Sequence, residues 1–195
     1  MDIAALVTLA FVASITPGPN NLMLLGSGMN HGIRRTLPHL AGVSLGFSFL
    51  IFVVAVGLGA AFERYENVEL VLKLLGGAYL GYLAWKIFNT RSVARNESTS
   101  VPMSFAQAAL FQWVNPKAWV MATTASSTLL VTTSSAVSEA TQLTAGFWII
   151  NLPCISTWML SGAFASRWVA DEQRIRLINR TLGVLLAGTV VLLIA

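Results

Sequence analysis

Polar and apolar positions in this chain segregate into long blocks, with neither the alternation of half-buried strands nor the single apolar stripe of soluble helices. Six stretches are almost wholly apolar: Ile3 to Leu25, Leu40 to Phe62, Val68 to Phe88, Phe105 to Val131, Leu143 to Ala165 and Leu177 to Ala195. Each is 19 to 27 residues long, and about 20 helical residues cross the hydrocarbon core of a bilayer. The pattern predicts an all-α membrane protein with six transmembrane helices. The most polar stretch, residues 89–104 (NTRSVARNESTSVPMS), has no apolar periodicity and contains Pro102. It reads as a linker between a three-helix unit at 1–88 and another at 105–195.

The two units echo one another. Pro17 matches Pro116, Ala41-Gly42 matches Ala145-Gly146, and Leu75-Gly76 matches Leu182-Gly183, at offsets of 99, 104 and 107 residues. An odd number of spans per unit turns the second copy upside down, so the expected plan is two inverted three-helix repeats. An unrelated six-helix bundle is the alternative. Gly42 with Gly46, and Gly77 with Gly81, each sit four apart on one helix face, a spacing that lets a neighbouring backbone approach.

Composition agrees with the blocks: 55% of the 195 residues are hydrophobic, 10% are charged, and mean hydropathy is +0.71. The first block reads as a retained helix, because Met1-Asp2 supplies no basic n-region and the stretch is long and contains two prolines. Cys154 is the single cysteine, which excludes an intrachain disulfide or a cysteine-pair relay. A net charge of +4 could point to nucleic acid, but the basic residues are distributed as a membrane topology would place them. The loops after helices one, three and five hold Arg34, Arg35, Lys86, Arg91, Arg95, Arg167, Arg174, Arg176 and Arg180, whereas the other side holds Arg64 and Lys73. This positive-inside bias places both termini outside the cytoplasm. The expected partner is thus the lipid bilayer and not nucleic acid; homo-oligomerisation is left open.

Two blocks are interrupted where chemistry could reside. Thr16-Pro17-Gly18-Pro19-Asn20-Asn21 breaks the first helix, and neither proline can donate to the carbonyls of Ala13 and Ile15. Such groups in lipid cost several kcal/mol unless something else pairs with them. In the fourth helix, Asn115 is a good N-cap and Pro116 a good first helical residue, so a half-helix is expected to begin there. Lys117 is the one charged side chain deep within a block, at the positive end of that half-helix and with no carboxylate deep in any block to pair with, Glu69 lying at the edge of its own. Two readings follow: Lys117 and the half-helix N-termini hold a substrate anion while Thr16, Asn20, Asn21 and Asn115 bind its polar groups, or Lys117 donates to the freed carbonyls as structural glue. Asn151 and Pro153 interrupt the fifth helix and either line the same cavity or form a plain kink. His31 and His39 flank the first cytoplasmic loop and read as surface histidines. No Gly-Lys pair exists to build a Walker A loop, and no cofactor or metal is expected.

Thr16-Pro17-Gly18-Pro19-Asn20, His31-Gly32 with Arg34, Gly76-Gly77-Ala78-Tyr79-Leu80 and Asn115-Pro116-Lys117 together resemble the LysE/RhtB family of amino-acid exporters, over essentially the whole chain. The stretches SITPGPNN, HGIRRTLPHLAGVSLGF and YLAWKIF look closest to the branch of that family exporting cysteine and O-acetylserine. The resemblance implies a secondary transporter of the cell inner membrane, not an enzyme, that exports amino acids or close derivatives by alternating access. An intramembrane enzyme and a non-transporting membrane subunit are the competing classes. With both termini outside, a reporter enzyme active only in the periplasm is expected to be active when fused after Ala195; activity of a cytoplasm-only reporter there would reverse the topology.

Overall fold

The prolines and glycines fix where the helices begin, bend and end. The computed structural model describes residues 2–58, 66–89, 101–130, 136–168 and 172–194, all helix or short connection, with no strand among them. Seven α-helices are seen: α1 Ile3–Ile15, α2 Pro19–Val53, α3 Glu66–Phe88, α4 Phe105–Phe111, α5 Pro116–Leu129, α6 Ala136–Trp168 and α7 Glu172–Ile194. A π-helical turn (Val54–Leu58) continues α2, and a 3-10 turn (Gln112–Val114) follows α4. Asp2 caps α1 by accepting from Ala4 N and Ala5 N, and Ser104 with Gln107 forms a capping box at the start of α4. Apart from the two breaks, each apolar block is helical over its described residues. The linker lies largely outside the described residues, at 90–100.

Two helical runs, Pro19–Gly57 and Ala136–Ser166, are long and apolar enough to cross a membrane. At 13 residues α1 is about 20 Å long, too short to span by itself. It reaches across only when continued, past the break, by the first arm of α2.

The expected loop between the first two helices is not there. Residues 26–39 are helical, and the chain turns at a single residue, Gly32, with φ 73° and ψ 175°. Only glycine populates that region readily, so one residue replaces the loop. In consequence, the reading of His39 as a surface histidine is wrong: it sits on the second arm of α2 at 1% exposure. His31, beside the corner, is half-buried.

Packing pairs elements of the first half with elements of the second: α2 lies chiefly on α6 and α4, α3 on α7, and α1 on α6. The crossing of α2 and α6 is glycine to backbone in both directions. A Cβ on Gly28 would collide with the carbonyl of Met159, and one on Gly162 with the carbonyl of Leu25. The second arm of α2 approaches α4 in the same way, with Gly42 against Phe105 and Ala108 and Gly46 against Ala109. Gly81, expected to serve a similar contact, does not: a Cβ there meets nothing within 4 Å among the described residues. Above this crossing a cluster of Leu6, Ala10, Phe47, Leu50, Ala118, Ala122, Leu143 and Phe147 joins α1, α2, α5 and α6.

Because Gly28 and Gly162 face main-chain oxygens that cannot swing aside, Gly28→Ala or Gly162→Ala should destabilise the detergent-solubilised protein by about 1–3 kcal/mol or more. Gly81→Ala should leave its thermal midpoint unchanged. Equal midpoints for all three variants would show that the crossing is looser than described.

Candidate functional site

The break between α1 and α2 strips partners from five consecutive carbonyls, and each is met by a side chain. The Thr16 hydroxyl donates to Ala13 O (3.1 Å), and the Asn21 amide donates to both Ser14 O and Thr16 O (2.8 Å each). The Trp158 indole, from α6, donates to Ile15 O (3.2 Å). Lys117, from α5, places its Nζ 2.8 Å from Thr16 O, 2.8 Å from the Thr16 hydroxyl and 3.3 Å from Pro17 O. The two carbonyls expected to be orphaned, Ala13 and Ile15, are thus paired with Thr16 and Trp158.

The second break takes the expected form. Asn115 caps α5, its side chain accepting from Lys117 N at 3.2 Å, and Pro116 is the first helical residue. Its freed carbonyls are met locally: Asn115 N donates to Gln112 O, and the Trp119 indole donates to Trp113 O at 2.9 Å. Lys117 therefore leaves the positive end of its own helix and crosses to the carbonyl end of α1, where the helix dipole is negative and a cation is favoured. Gly18 makes the crossing possible, since a Cβ there would lie 2.8 Å from Lys117 Cδ.

Around this contact lies a cavity of about 30 Å³ walled by Ser14, Gly18, Asn20, Asn21, Asn115, Lys117 and Asn151, with Val43, Phe47, Met121 and Ile155 as its apolar side. It is room for roughly one water. The first intrahelical bond of α2 is Leu22 N to Gly18 O, so the N–H groups of Asn20 and Asn21 precede it and have no helical acceptor. Both half-helix N-termini, after Pro19 and after Pro116, border the cavity. Of the anticipated residues, Gly18, Asn20, Asn21, Asn115 and Lys117 line it, Thr16 and Pro17 hold Lys117, and Pro19 and Pro116 start the half-helices.

Two contributors were not anticipated, and two were left undecided. Gln112 is fully buried and exchanges amide bonds with Asn20 (2.8 and 3.3 Å) across the two halves. Ser14 accepts from Asn151 at 2.9 Å, which settles Asn151 as a wall of the cavity, with its Oδ1 unpartnered among the described residues. Trp158, whose depth in its block leaves cavity wall and plain packing both open, holds the Ile15 carbonyl. An amide within an apolar block, as at position 112, is the signal that could have flagged Gln112. Ser14 carries none.

Comparison with known proteins gives the same picture at the level of the whole chain. A protein of Klebsiella pneumoniae described as a cysteine/O-acetylserine efflux protein is 35% identical over 129 residues, covering 66% of this chain and 65% of that protein. Efflux proteins of the same description from Escherichia coli K12 and Shigella flexneri are 30% identical over 166 residues, covering 85% of this chain and 84% of theirs. No solved structure matches. Residues 11–195 match the family described as LysE type translocator, and the chain belongs to that family.

Proposed function

We propose that the chain is a secondary transporter that exports small amino acids or close derivatives from the cytoplasm across the inner membrane, by alternating access around the two helix breaks. The observation that carries this reading is the Lys117 contact. A cation held by main-chain carbonyls, beside two half-helix N-termini and with no carboxylate on the cavity wall among the described residues, is a pair of charge-complementary surfaces. An amino-acid zwitterion fits between them. Its ammonium replaces Lys117 on the carbonyls of Thr16 and Pro17, and its carboxylate takes Lys117 together with the spare N–H groups of Asn20 and Asn21. Neither polar surface is left bare by the exchange, which keeps its cost low.

A 30 Å³ cavity cannot hold an amino acid, so α5 withdraws from the α1 break as substrate binds. Pairing of α2 with α6 and α4, and of α3 with α7, supports the inverted-repeat plan in which such withdrawal is one half rocking on the other. The relatives' descriptions make cysteine and O-acetylserine the first candidates. Both are small, which limits how far the cavity must widen beside its apolar side of Val43, Phe47, Met121 and Ile155.

The test is efflux from proteoliposomes loaded with labelled amino acids, cysteine and O-acetylserine among them, under imposed proton and sodium gradients. Lys117→Met keeps the stem and removes the charge; it should insert normally yet export at least about tenfold more slowly, as expected for losing a charge-assisted bond. Undiminished export by Lys117→Met would reduce Lys117 to a brace. Failure of the native chain to release any amino acid faster than empty vesicles would remove the export reading itself.

A further inference from the structure

A second polar cavity lies one step along the same helix. Asn20, Met23, Ser27 and Asn30 are spaced three, four and three apart, so they lie on one face of the first arm of α2. Asn20 borders the central cavity, whereas Met23, Ser27 and Asn30 border a separate one of about 70 Å³. Asn20, at the end of this face that borders the central cavity, exchanges amide bonds with Gln112, which is fully buried. The other walls of this second cavity are His31 and His39 from the two sides of the Gly32 corner, Lys86 from α3 and the linker end at Pro102.

The hydrogen-bond inventory shows which wall groups are spoken for. Asn30 is fully used, donating to Gly26 O and exchanging amide bonds with Asn179 at 3.0 and 3.1 Å. Thr36 gives its proton to Gly32 O, so the 3.1 Å contact between Thr36 and Ser27 has Ser27 as donor and leaves the Ser27 oxygen free to accept. His39 is different. It is 1% exposed, and neither ring nitrogen has a partner among the described residues. One of those nitrogens must carry a hydrogen, and a buried imidazole with neither nitrogen bonded has donor and acceptor capacity for a polar guest in the cavity. His31 Nδ1 is likewise unpartnered among the described residues. Lys86 is engaged elsewhere, and none of the described wall residues is acidic.

We propose that this cavity is a second station on the transport path, on the cytoplasmic side, where His39 receives the carboxylate of a small amino acid before the Asn20–Gln112 pair opens to the central site. The station rests on the export reading and on the cytoplasmic placement of the Gly32 corner. Its size suits a carboxylate head, with the rest of the molecule still directed toward the cytoplasm. The Ser27 oxygen accepts from the ammonium as the substrate moves inward.

The experiment uses the full chain in proteoliposomes, with labelled O-acetylserine or cysteine offered at the cytoplasmic face and initial rates measured against concentration. His39→Leu should raise KM about tenfold with the maximal rate little changed, and His39→Gln, which keeps a donor and an acceptor, should recover most of the loss. A second measurement does not depend on that substitution. With Cys154→Ala as background, Ser27→Cys should react with a membrane-impermeant thiol reagent from the cytoplasmic face only, and saturating O-acetylserine should slow the reaction. Native KM in His39→Leu, or labelling of Ser27→Cys that substrate does not slow, overturns the station while leaving export standing. A native chain that moves neither probe removes the export of these substrates and the station together.

Discussion

Everything near the centre of this protein answers one constraint: in hydrocarbon, a carbonyl released by a proline must find another donor. The break at Thr16 to Gly18 releases five in succession, more than neighbouring residues on the same helix can serve. Thr16 and Asn21 meet part of the demand locally, while Trp158 and Lys117 come from α6 and α5. A local defect thereby becomes a tertiary joint. Three helices distant in sequence are held at one point by bonds that none of them could make alone.

The joint also explains why the two halves must pack so closely. Lys117 reaches Thr16 only if its stem passes over a residue with no side chain, which is Gly18. Trp158 reaches Ile15 from an α6 that approaches α2 on the reciprocal contacts of Gly28 and Gly162. Buried polar side chains follow the same seam: Ser14, Asn21, Gln112, Asn115, Asn151 and Asn179 all sit where the halves meet. A membrane protein gains little from burying apolar surface against lipid-like surface, so close backbone contact and interhelical hydrogen bonds carry the association.

How much of this could be read from sequence depends on how local each cause is. The Asn115-Pro116 start of α5 was legible because an N-cap and an N1 proline act within one turn, and the orphaning of Ala13 and Ile15 was legible because proline acts on the residue four before it. The partner of Ile15 was not legible, since nothing near Trp158 in sequence says what it faces. For Lys117 the freed carbonyls were one of the two readings the sequence left open, and that contact is the one found; which carbonyls it meets, Thr16 and Pro17, was not legible, because main-chain oxygens are in every sequence and none advertises itself. His39 was misplaced for another reason. Polar residues between two apolar blocks normally signal a loop, but here the chain turns at Gly32 alone, so the flanking polar residues remain helical and some turn inward.

The two breaks are alike in sequence but opposite in need. The second meets its own freed carbonyls with Asn115 N and the Trp119 indole, so it demands nothing from the first half. The first cannot do so and borrows Lys117. If the halves separate at this point, the cost therefore falls on one side as bare carbonyls and on the other as a bare ammonium, and neither can be left in a low-dielectric interior. A solute carrying one charge would relieve one side and aggravate the other. A zwitterion relieves both, which ties separation of the halves to the presence of a molecule bearing an amino group and a carboxylate a short distance apart. In the export cycle proposed above, selectivity for amino acids over simple anions or amines would follow from the asymmetry of the breaks, before any contact with the substrate's side chain.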